Sequence, residues 1–142
     1  MSRVSSILLT PVVATLLLWT VARPGQAPSS FEWVDVIIET STPLAAWQVR
    51  VTSPGVRIVG VEAGEAPFDE APAYDPVALR DREEIIIASF DTGTGLVSGR
   101  VRVARLHVRV SGAPSWSGEL MVAADDEGCP IDASLLLERG TP

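Results

Sequence analysis

Residues 44–65 read LAAWQVRVTSPGVRIVGVEAGE, and this stretch decides the fold class. Trp47, Val49 and Val51 alternate with Gln48, Arg50 and Thr52, so an extended chain here carries apolar groups on one face and polar groups on the other. Period-two alternation is the signature of a half-buried strand, and it predicts one over 45–52. Ser53-Pro54-Gly55 supplies a tight turn, and a second strand follows over 56–62.

Working outward, runs rich in Ile, Val and Trp and bounded by Gly, Pro, Asp or Ser predict further strands at 32–40, 84–91, 100–111, 117–124 and 132–139. Thr42-Pro43 marks a turn or an edge bulge, because proline cannot donate to a ladder. No stretch has helical amphipathicity. The longest irregular region, 63–83, holds only one helical turn, with Asp75 as cap and Pro76 at its first position, through Arg80. About seven short strands with turns between them make an all-β protein, an antiparallel sandwich.

One strand breaks its own phase. Val101 and Val103 point one way on odd numbers, whereas Leu106, Val108 and Val110 continue on even numbers. A bulge near Ala104 is needed to keep both sets inward. With that bulge Arg100, Arg102, Arg105, His107 and Arg109 share the outward face, a basic stripe on an acidic chain.

Residues 1–27 have the make-up of an export signal, with Arg3 ahead of an apolar stretch from Ile7 to Ala22 and small residues at candidate cleavage sites. The alternative is an uncleaved membrane anchor, but the stretch is short for a span and Pro11 interrupts it. The folded domain is then 28–142, and the expected location is secreted, cell-surface or periplasmic. Setting aside Arg3 and Arg23 leaves nine basic against 18 acidic residues, a net charge of −9. That balance argues against a nucleic-acid partner, and a membrane is a partner only if the first segment stays uncleaved. Cys129 is the only cysteine, so the domain holds together without a disulfide, and no histidine neighbours it in sequence to activate it.

Three constellations bear on chemistry. Asp91-Thr92-Gly93 after Ile85-Ile86-Ile87 is the wording of an aspartic-protease loop, which would need a second copy to supply the other carboxylate. DTGTG is equally a polar hairpin loop, so this is the remote reading. Asp125-Asp126-Glu127-Gly128 lacks the spacing that lets several oxygens converge on calcium and reads as a solvated turn. The Arg/His stripe either binds an anionic partner or pairs with acids on neighbouring strands. No metal or cofactor site is indicated.

The strand and turn from Leu44 to Pro54 and the segment from Val56 to Glu65 resemble the corresponding pieces of cohesin-like domains. Ile85 to Leu96, IIIASFDTGTGL, and Gly99 to Val110, GRVRVARLHVRV, resemble two further pieces in the same order. The resemblance implies a nine-stranded jelly-roll sandwich related to carbohydrate-binding modules, carried on exported bacterial proteins. It implies no catalysis and recognition of a protein partner, a dockerin, through one sheet face. Arg50 stands where the family has an acidic residue, and Ser53 where its turn has aspartate. Gln48, Arg50 and Thr52 form one candidate binding set; Arg100, Arg102, Arg105, His107 and Arg109 form another. The alternative is a carbohydrate-binding module acting in polysaccharide breakdown, with Trp116 or Tyr74 as stacking platforms.

Overall fold

The computed structural model describes residues 29–80 and 82–142; the expected signal segment lies outside them. The described residues form eight strands: β1 (Ser29–Leu44), β2 (Ala46–Thr52), β3 (Val56–Ala63), β4 (Ala73–Tyr74), β5 (Glu84–Phe90), β6 (Val97–Ser111), β7 (Ser117–Ala124) and β8 (Ala133–Gly140). They form two four-stranded antiparallel sheets, β3-β6-β1-β8 and β4-β5-β2-β7. Every connection except β4 to β5 passes from one sheet to the other, the winding of a jelly roll. Among the described residues the one helical element is a 3₁₀ turn at Pro76–Leu79, and Asp75 Oδ1 caps it by accepting from the Val77 N–H at 2.9 Å. No helix among the described residues is long and apolar enough to cross a membrane.

The core is the space between the sheets. Val34, Val36 and Ile38 of β1 and Leu106, Val108 and Val110 of β6 face Trp47, Val49 and Val51 of β2 and Ile85 and Ile87 of β5. The phase slip in β6 is resolved by a bulge: Val36 pairs with Ala104 and Ile37 with Arg102, which leaves Val103 as the extra residue. Val103 and Ala104 are both buried, so the bulge lets the strand bury odd-numbered valines before it and even-numbered residues after it. β3 carries a similar irregularity at Val59, between Ile58 and Gly60.

β1 runs longer than the sequence pattern suggests and continues past Thr42-Pro43 to Leu44. The proline sits inside a break in register with β6, between Thr40 and Leu44, where no ladder donor is required. Buried Thr40 fastens this corner by donating its hydroxyl to the Asp132 carbonyl at 2.9 Å.

Ser53, at the turn in the opening stretch, is buried, and its hydroxyl donates to the Ser115 carbonyl at 2.9 Å. Its backbone N–H donates to the Glu83 carbonyl, so one residue ties the β2–β3 turn to two other connections. Its role is structural. Replacing Ser53 with Ala should cost about 1 kcal/mol, the net value of a lost hydrogen bond. Urea denaturation would read this as a lower midpoint at unchanged slope.

Candidate functional site

The two candidate sets lie on opposite outer faces. Register places Gln48, Arg50 and Thr52 on the exterior of the β4-β5-β2-β7 sheet, and the Arg/His stripe on the exterior of β3-β6-β1-β8.

The stripe is largely occupied by acids of its own sheet. Arg105 grips Asp35 with a two-pronged fork, Nε to Oδ1 at 2.6 Å and Nη2 to Oδ2 at 2.9 Å, and its guanidinium lies 5.1 Å from the Trp33 ring centroid. Arg102 lies between Asp35, at 4.0 Å, and Glu65, at 3.6 Å. Arg100 pairs with Glu138, and His107 Nε2 meets Glu62 Oε2 at 2.8 Å. Cross-strand pairing, not a run of free cations, is therefore what most of the stripe does. Arg109 is the exception: it has no acidic partner among the described residues.

At the border of this sheet Arg139 Nη2 reaches Glu32 Oε2 at 2.5 Å. That hydrogen bond holds the Glu32 carboxyl below its ordinary 4.5, outweighing the opposing effect of burial. A depressed carboxyl stabilises the fold above its unfolded pKa and ceases to do so as the pH falls through its folded value. Stability should therefore decline below pH 4.5 in part through Glu32. Glu32→Gln should flatten that limb of a pH series of melting temperatures; an unchanged limb would contradict the assignment.

The other face differs in kind. Cross-strand pairing sets Phe90 beside Ala46, Ala88 beside Gln48 and Ile86 beside Arg50. Ala73 joins Ala88 from β4, and Val122 joins Gln48 from β7. Small side chains on adjacent strands leave an open trough of about 550 Å³ bordered by Phe90, Val122, Glu70 and Ala71. Phe90 is 75% exposed, the most exposed large apolar side chain of the described residues. Arg50 is held at one end by Glu119, at 2.7 Å, with Glu84 at 3.9 Å. Of the predicted set, Gln48 lines the trough, whereas Arg50 and Thr52 lie beyond it on the same face.

The sequence reading missed Phe90, Ala46, Ala88 and Val122. The uninterrupted Ile85-Ile86-Ile87 run hides the phase of β5. Pairing against β2 shows that 84, 86, 88 and 90 point outward.

The remaining candidates have local roles. Asp91 turns its Oδ1 back to accept the Gly93 N–H, so the DTG carboxylate closes its own loop. Asp125 Oδ1 accepts the Glu127 and Cys129 N–H groups, which makes the acidic run a capped turn with an exposed cysteine. No cluster of three or more His, Cys, Asp or Glu placed to hold a metal occurs among the described residues. Trp116 and Tyr74 are partly buried and packed against the core, so neither is an open stacking platform.

No protein-family model matches the chain, and a search of curated proteins finds no match. Among solved structures, the fold is similar to that of a non-cellulosomal cohesin from the hyperthermophilic archaeon Archaeoglobus fulgidus. The TM-score is 0.56 at 17% sequence identity, and the match covers 75% of each chain. The chain thus has a cohesin-like β-sandwich fold.

Proposed function

We propose that this protein is an exported, non-catalytic binding module that recognises a protein partner of dockerin type through the exterior of its β4-β5-β2-β7 sheet. The observation that carries the reading is the contrast between the two faces. One is closed by its own ion pairs; the other presents the Phe90 trough, apolar and uncharged at its centre. Interfaces concentrate their energy in such desolvated centres, with an aromatic anchor and a polar rim. Here Phe90 is the anchor, and Gln48, Arg50 and Glu70 belong to the rim. The trough is too open to enclose a small ligand, and it suits the side chains of a folded partner. Export rests on the composition of residues 1–27.

Isothermal titration calorimetry against a panel of calcium-loaded dockerin modules tests the reading. At least one should bind, and Phe90→Asp should weaken that binding by at least about 30-fold, the effect of losing a central hot spot. Gln48→Ala, closer to the rim, should cost only a few-fold. Retention on insoluble cellulose or xylan, with no dockerin bound, would overturn the proposal in favour of a carbohydrate-binding module.

A further inference from the structure

At the far end of the opposite face the ion-pair pattern stops. Phe31 of β1, Arg109 of β6 and Arg57 of β3 stand side by side in register, so all three project to the same exterior. Arg109 and Arg57 are like charges on directly opposed residues, an arrangement that costs stability rather than adding it. Arg57 has an interaction of its own. Arg109, by contrast, is exposed and has no hydrogen bond or ion pair among the described residues. Among the described residues the one carboxylate lining the depression between them, Glu83, accepts the Gly55 N–H at 2.9 Å. Phe31 beside it is 61% exposed, so an apolar ring adjoins an unpaired guanidinium.

We propose that this corner is a second interaction surface, which takes an acidic peptide segment of a partner protein by placing a carboxylate on Arg109 and a neighbouring apolar side chain on Phe31. Three features favour that occupant. A guanidinium presents a planar fork that fits a carboxylate. Adjacent strands lie about 4.8 Å apart, so the ring and the fork are within reach of one acidic residue and an apolar neighbour. The domain is also acidic, with a net charge of −9 after Ala27, and Arg109 is a cation on it that no carboxylate among the described residues engages. A uronate polymer would supply the charge but no apolar side chain for Phe31.

The test uses the full chain and a fluorescein-labelled peptide of alternating glutamate and leucine, followed by fluorescence anisotropy. A peptide of alternating serine and leucine is the neutral control, and polygalacturonate is the competing polymer. The acidic peptide should bind and the neutral one should not, with affinity falling as NaCl rises from about 0.05 to about 0.5 M. Arg109→Glu should weaken binding about tenfold or more and Phe31→Ser several-fold. Both side chains are exposed, and Arg109→Glu also relieves the repulsion from Arg57, so neither variant should melt below wild type. Phe90→Asp, on the other face, should change nothing, which separates this surface from the trough. Equal binding by Arg109→Glu and wild type would overturn the proposal. Arg109-dependent binding of polygalacturonate in preference to the acidic peptide would overturn the choice of occupant.

Discussion

Trp47→Ala should lower the unfolding free energy by about 3–5 kcal/mol, the range for removing a large aromatic from a packed core. Trp47 is 1% exposed and meets Phe68 edge to face, with ring centroids 6.0 Å apart and planes at 86°. It points into the core from the start of β2, and Phe68 reaches it from the long connection after β3, so the ring fastens that connection onto the core. Truncation removes its apolar area from burial, opens a cavity and leaves Phe68 without its partner. Domains of this size are stable by only about 5–15 kcal/mol, so the melting temperature should fall by more than about 10 °C. Trp47→Phe is the informative control. The indole Nε1–H has no hydrogen-bond partner among the described residues, so phenylalanine forfeits no hydrogen bond and should recover most of the loss. Equal destabilisation by Ala and Phe would contradict the packing argument.

Gly64→Ala should also destabilise the domain, by about 1–3 kcal/mol, against the usual trend for that substitution. A Cβ at Gly64 would lie 2.2 Å from the Arg102 carbonyl oxygen and 2.6 Å from that of Val103. Both obstacles are backbone at the bulge of β6, and the Arg102 carbonyl already accepts the Glu65 N–H at 2.7 Å, so neither can move aside cheaply. Replacing glycine by alanine elsewhere stiffens the unfolded chain and often stabilises by about 0.4–1 kcal/mol. The two effects have opposite signs, so a denaturation curve decides between them. A variant as stable as wild type, or more so, would show that the bulge does not depend on close approach at residue 64.

The strands were legible because their signal is local. Trp47, Val49 and Val51 announce β2 through alternation alone, and Asp75-Pro76 announces the 3₁₀ turn through capping chemistry. The bulge of β6 was legible too, one residue from its place, because burying both Val103 and Leu106 leaves the backbone no other option. β4 escaped notice since its two residues, Ala73 and Tyr74, are too few to show any period.

The candidate site was less readable. Alternation says that Gln48 and Arg105 point away from the core, but not that they lie on opposite faces of the sandwich, which depends on strand order. Phe90 looks in sequence like the end of a buried run, and only its pairing with Ala46 puts it outside. The acidic partners of the stripe are far away along the chain, Asp35 for Arg105 and Glu138 for Arg100, so a row of cations in sequence becomes a row of ion pairs in the fold.

The stretch from Leu44 to Glu65 shows where the division falls. By itself the sequence determined two strands, the turn between them and which side of the first faces inward, since these follow from side-chain period and turn chemistry among near neighbours. Only the tertiary structure decided that Ser53 is a buried tie rather than a recognition residue. The same holds for Gly64, which lies against the bulge of β6, and for Gln48, which borders an apolar trough. Each of those roles is set by what another strand or connection brings into contact, across a sequence distance that no local pattern encodes.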